Sequence, residues 1–172
     1  MRRSSTWKVI TEHLNSPEDD GSSPFPADQM KPYRKFRPFQ IRWKEAMGDQ
    51  KDPYLYRWTF LFFGFSIRIH HWIRSDDKRF FHDHATDLIS IVLKGRYTNV
   101  TPNGKISCKA GSIWSAKAAW RHYLDIPKEG AWTLLLCGRP YHKWGFWTKP
   151  DQKMRPLRYF HKFGIVNEVG DY

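Results

Sequence analysis

From Tyr54 to Trp147 the chain alternates short apolar runs with turn residues. The runs are YRWTFLFF (56–63), SIRIHHWI (66–73), DLISIVLKGRYTNV (87–100), KISC (105–108), SIWSA (112–116), RHYLDI (121–126) and AWTLLLC (131–137). Each is rich in β-branched and aromatic residues, and Pro, Gly and Asn cluster between them at 102–104, 110–111, 127–130 and 138–140. Many short strands at close spacing, with little helical period, predict an all-β fold: an antiparallel sandwich or barrel. Thr101-Pro102-Asn103-Gly104 predicts a hairpin, because Asn-Gly readily takes positive φ. Residues 1–38 mix Ser, Pro, Gly and charge without a sustained period and predict an irregular arm. Over 39–49, FQIRWKEAMGD, a short helix is expected, with Phe39, Trp43 and Ala46 on one face and Gly48 as its end. After Trp147 the chain turns Pro- and Lys-rich, and LRYFHKFGIV (157–166) is expected as a final helix or strand packed on the outside. The resulting division is a basic arm over 1–52, a β-barrel over 53–148 and an extension over 149–172.

Charge changes the picture more than size does. The 172 residues carry 29 Lys and Arg against 17 Asp and Glu, a formal net charge of +12, with aromatics at 17% and a mean hydropathy of -0.70. This balance favours anionic partners, although solubility alone accounts for it equally well. Cys108 and Cys137 fall in different predicted strands and form no CxxC, which fits a reducing compartment. No apolar stretch follows Arg2 and Arg3, and no apolar run approaches the roughly 20 residues of a membrane span. The expectation is a soluble, cytoplasmic protein with no membrane partner. Nucleotide-binding glycine loops, a Gly-x-Ser-x-Gly elbow and a His-activated cysteine are all missing from the pattern.

The candidate chemistry lies in histidines. Side chains alternate along a strand, so His82 and His84 share a face and Asp83 points away. His122 shares a face with Leu124 and Ile126, the inward face if apolar residues point in. Three imidazoles from neighbouring antiparallel strands can converge on one cation. Neutral imidazole suits Zn, Fe, Cu and Ni, and a carboxylate beside it shifts the choice toward Fe or Mn. The plain alternative is polar residues at a strand end and a hydrogen-bonded core histidine. His71 lies with Phe65, Ile67, Ile69 and Ile73 and reads as core or interface. His70 lies with Ser66, Arg68 and Trp72, a mixed face that would line a wet interior. There Arg68 could hold a carboxylate or phosphate, unless the face is simply exposed. Trp144 is a further candidate for substrate contact, or a packing residue.

Two motifs carry a family resemblance. His82-Asp83-His84 is followed eleven residues after His84 by Gly95, and Gly111 stands eleven positions before His122. This register, over about residues 56–147, resembles the cupins. There are departures. Asp76 stands where a glycine is expected, Lys117 and Ala119 replace a Pro and a Gly, and Ile126 replaces an Asn. Asp87 is one residue closer to the histidines than the family acid, with Leu88 in the neighbouring slot. The string from Ser66 to Val100 further resembles a small group of cupin-like proteins of bacteriophages and bacteria.

The resemblance implies a double-stranded β-helix (jelly-roll barrel) and a divalent metal held by His82, His84 and His122. Asp87 would join them if a bulge at Ala85-Thr86 re-aims it. It implies Fe(II)-dependent oxygenation of a small anionic substrate, or a Zn, Mn or Ni isomerase or lyase, and by analogy a homodimer. A metal-free cavity of the sugar-nucleotide epimerase kind stays open, as does a non-enzymatic binder of a nucleotide or other anion. No catalytic acid or base can be assigned. Separately, Arg34, Lys35, Arg37, Arg42 and Lys44 alternate with aromatics in KPYRKFRPFQIRWK. That pattern suits single-stranded nucleic acid, and equally an arm anchored by its aromatics on the barrel.

Overall fold

The segment Leu88–Thr101 forms one strand of 14 residues that serves two layers of the fold. The structure, a computed structural model, describes residues 38–48 and 52–164. Its strands are β1 (Phe39–Gly48), β2 (Pro53–Phe62), β3 (Phe65–Trp72), β4 (Phe81–His82), β5 (Leu88–Thr101), β6 (Gly104–Lys109), β7 (Ile113–Ala116), β8 (Tyr123–Asp125), β9 (Ala131–Cys137), β10 (Phe146–Lys149) and β11 (Gln152–Met154). Among the described residues one helix, α1 (Pro156–Phe163), follows them. All pairings are antiparallel.

The first half of β5 lies between β9 and β7, and its second half between β6 and β8. The switch comes at a bulge between Val92 and Lys94, followed by Gly95 at φ 80°. A Cβ on Gly95 would meet the Gly130 carbonyl oxygen at 2.5 Å, so only glycine lets the two backbones cross. One layer runs β1-β2-β3-β9-β5 and the other contains β6, β5 and β8, with Leu55, Trp72 and Val92 packing against Tyr97, Cys108, Leu124 and Ile126. A small sheet, β11-β10-β4, joins the second layer through a bridge between His82 and His122. The result is an all-β jelly-roll sandwich with open edges, not a closed barrel. The expected hairpin is present, with Thr101 paired to Gly104.

Two expectations are corrected. Residues 39–48 form strand β1 and not a helix: Phe39 pairs with Phe62 and Ile41 with Phe60, so the sheet begins before residue 53. The period of two in Phe39-Ile41-Trp43 prevails because an edge strand on β2 satisfies the backbone, which a lone helix of this length could not do as well. The second correction concerns β3. Its apolar side faces outward, with Phe65, Ile67 and Ile69 37–41% exposed, while Ser66, His70 and Trp72 are buried. His71 is therefore no core residue; its ring stacks on Trp132 at 4.2 Å on the outer face. Register extends this apolar face across the sheet as a row, Ile41-Phe60-Ile67-Leu136-Ile89.

The expected C-terminal element is α1. It is held by the fully buried Tyr159, whose ring stacks on Phe146 at 3.8 Å and whose hydroxyl donates to Asp77 at 2.7 Å. Asp83, also fully buried, anchors the strands before it by accepting from Gly145 N–H at 2.7 Å and Trp147 Nε1–H at 3.2 Å, with Lys153 Nζ at 2.9 Å. Cys108 and Cys137 are free and buried. Among the described residues no helix is long and apolar enough to cross a membrane.

Candidate metal centre

Backbone pairing alone brings the three histidines together. His82 N–H donates to His122 O at 2.9 Å and His122 N–H to His82 O at 3.0 Å, so the two residues sit directly opposite with side chains on one face. His84, two residues on, returns to that face, and its N–H is fixed on Ala118 O at 2.8 Å. One ring nitrogen from each of His82, His84 and His122 lies within 4.8 Å of the others. The nearest pair is His84 Nε2 and His122 Nε2, at 2.7 Å.

The surroundings orient the rings. His122 Nδ1 meets Asn99 Oδ1, and with the amide oxygen facing the ring, Nδ1 carries the proton. Its Nε2 therefore presents a lone pair to the cluster. Trp120 covers the His122 ring at 4.7 Å and Trp114 approaches it edge-on at 5.9 Å. His82 Nδ1 lies 3.9 Å from Asp76 Oδ2, which leaves its other nitrogen for the cluster. Burial pushes the Asp76 carboxyl well up, against the opposing hydrogen bond from Leu124 N–H.

Burial also keeps all three imidazoles neutral. It lowers His82 to about 4, lowers His84 to about 3 with help from the charges of His82 and Arg68, and lowers His122 well below the ordinary value. Neutral imidazole is the form that ligates a cation. The donor set fits a divalent ion: three neutral nitrogens, one with its far nitrogen tied by an amide, in the manner of outer partners that fix metal-ligating histidines.

Asp87 is not part of this group. Its carboxylate accepts from Lys117 Nζ at 2.8 Å, Ala118 N–H at 2.9 Å and the Tyr141 hydroxyl. The hydrogen bonds from Lys117, Tyr141 and Ala118 hold it down at about 2. The irregular backbone between His82 and Leu88 does not turn it toward the three rings, which form the group without it.

The three other candidates do reach the cluster's cavity. It encloses about 210 Å³ between the layers, and its lining includes His82, His84, His122, Arg68, His70 and Trp144. Of the basic residues, Arg34, Lys35 and Arg37 lie outside the described residues. Arg42 approaches Glu45 at 3.7 Å, and Lys44 lies over the Tyr56 ring at 5.0 Å. Two residues escaped the sequence reading, Asn99 and Asp76. Asn99 had no visible signal; Asp76 stood out only as an acid where a glycine was expected.

The segment with His82 and His84 and the segment ending in His122 are thus antiparallel neighbours over a cavity between two jelly-roll layers. The fold is the jelly roll that the resemblance implies. No family model and no curated protein matches the chain. Among solved structures, it is similar to one described as DMSP lyases, at 15% identity and TM-score 0.45 over 57% of this chain and 56% of that one. It is also similar to a putative ethanolamine utilization protein of Salmonella typhimurium, at 12% identity and TM-score 0.46 over 60% and 95%. A third is a sugar phosphate isomerase of the cupin superfamily from Silicibacter pomeroyi, at 10% identity and TM-score 0.43 over 63% and 76%. The chain thus spans little more than half of the first of these.

Proposed function

We propose that this cupin-like protein is a metal-dependent enzyme acting on a small anionic substrate, with His82, His84 and His122 as the ligands. The observation that carries this is the 2.7 Å approach of two ring nitrogens, one of which has its lone pair fixed by Asn99. A divalent ion held there would supply Lewis acidity and, as Fe(II), a route to oxygenation, the reaction we favour. The chain's own part is to present three neutral donors from two backbone segments, exclude bulk water with Trp114 and Trp120, and admit substrate past Trp144. Arg68 supplies the positive charge that would select an anion. A second reading follows from Asp87 facing away: a purely imidazole set with a vacant position also suits Zn(II), and with it lyase or isomerase chemistry.

The first test is metal analysis of protein purified without a nickel column, then reconstituted under nitrogen with Fe(II) or Zn(II). One retained equivalent is expected, lost in His122→Ala. Less than a tenth of an equivalent after reconstitution would end the metal reading and leave a metal-free binder of anions. Binding of nucleic acid through the basic arm is a separate reading, tested by the salt dependence of affinity with and without residues 1–38.

A further inference from the structure

The inner face of β2 and β3 carries a second polar corner whose hydrogen-bonding capacity is unspent. Register sets Arg57 opposite His70 and Thr59 opposite Arg68. His70 is 7% exposed and neither of its ring nitrogens has a hydrogen-bond partner. Thr59 Oγ1, in a residue 5% exposed, has none either. Buried polar atoms are nearly always paired, so three orphans at one corner call for a partner from outside the chain.

The charges at the corner are also unbalanced. Arg57 spends its cation on Glu45, at 3.2 Å. Arg68 donates Nε–H to Ser66 Oγ at 3.0 Å, and among the described residues no carboxylate comes within 4.0 Å of its nitrogens. The acids that line the same cavity are engaged elsewhere, Asp83 with Lys153 at 2.9 Å and Asp76 with Leu124 N–H at 2.8 Å. Burial and the charge of Arg57 push the Arg68 guanidinium down from its ordinary value, so an anion would stabilise it.

These groups match one ligand chemistry. The terminal nitrogens of Arg68 form a planar fork suited to the two oxygens of a carboxylate. His70, kept neutral by burial at about 3, has one N–H to donate to the same group and one nitrogen left to accept. A phosphate dianion would bring more charge than one unpaired cation offsets. The cavity of about 210 Å³ suits a small organic molecule. We infer that Arg68 and His70 bind the carboxylate of a small organic acid and direct the rest of the molecule toward the histidine triad. This deepens the reading above and rests on it only in taking the cavity as the working site; the corner contains none of the three proposed ligands.

The test is calorimetric titration of the full chain, before and after chelator treatment, with lactate, methyl lactate and inorganic phosphate. Lactate should bind at one site in both forms, at least tenfold more tightly than the neutral ester or phosphate. Arg68→Met should weaken lactate at least tenfold, and Arg68→Lys, which keeps the charge but loses the fork, by a smaller factor. Thermal melts of both variants would establish that they fold, and His70→Phe gives an independent second variant. Phosphate binding as tightly as lactate, or Arg68→Met and His70→Phe binding lactate like the parent, would overturn the inference. Retained metal without lactate binding would overturn it while the metal reading stands; lactate binding in protein that retains no metal would do the reverse.

Discussion

His84 Nε2 and His122 Nε2 face each other at 2.7 Å, while the opposite nitrogen of His122 is committed to Asn99. Two lone pairs do not sit that close without a proton or a cation between them. Ligating nitrogens around an ion with bonds of about 2.0–2.1 Å lie about 3 Å apart, so a small opening of the rings would seat one.

Asn99, without joining the site itself, therefore orients a ring that would ligate the ion. Asn99→Ala should lower metal affinity by about 10–100-fold while leaving the fold intact. Competition against a chelating dye measures this directly. An affinity equal to the parent's would show that His122 needs no such support.

Asp87 provides the opposite control. Its oxygens serve Lys117, Ala118 and Tyr141, so Asp87→Ala should leave metal stoichiometry unchanged. His82→Ala, His84→Ala and His122→Ala should each lose metal. Elemental analysis of the four variants decides the ligand set.

Acid should destabilise the metal-free protein. His70, His82 and His84 are lowered by burial to about 3, 4 and 3, against an ordinary value of 6.5. Below pH 6.5 the unfolded chain takes up protons that the folded state refuses. Stability is therefore complete above about pH 6.5 and declines as pH falls toward the folded values. Each buried imidazole contributes up to about 1.4 kcal/mol per pH unit inside that window. Urea midpoints of chelated protein between pH 7.5 and 4.5 should fall steeply, and the slope should lessen in His70→Phe.

Removing the buried Asp83 carboxylate should be costly, because it takes the acceptor from Gly145 N–H and the indole of Trp147 and the paired charge from Lys153, which keeps the Lys143 carbonyl. Asp83→Ala should lose roughly 3–5 kcal/mol, the usual cost of breaking one side of a buried pair. Denaturant unfolding reads the loss.

The sequence reading reached the triad because the His-x-His parity and the spacing from Gly111 to His122 are both local. The antiparallel bridge between His82 and His122 then converts that spacing into contact. Asp87, carried as a candidate ligand on condition of a bulge, stays outside the group because Lys117, Ala118 and Tyr141 hold its carboxylate. What the sequence did not show was which face of β3 points inward. The apolar-in rule assigns Phe65, Ile67 and Ile69 to the core, yet the interior here is a polar cavity that takes Ser66, Arg68 and His70 instead. In strand β1, Phe39, Trp43 and Ala46 fit a helical face as well as Phe39, Ile41 and Trp43 fit a strand, and only the partner β2 breaks that tie. Asn99 lies 23 residues from His122, a distance over which spacing carries no signal.

Because a single backbone passes through both sheets at Gly95, neither can fray while the other stays whole. Amide protons of Ser90 and Asn99, on either side of that crossing, should show one shared opening free energy once their intrinsic exchange rates are divided out, and the protein should melt as one cooperative unit.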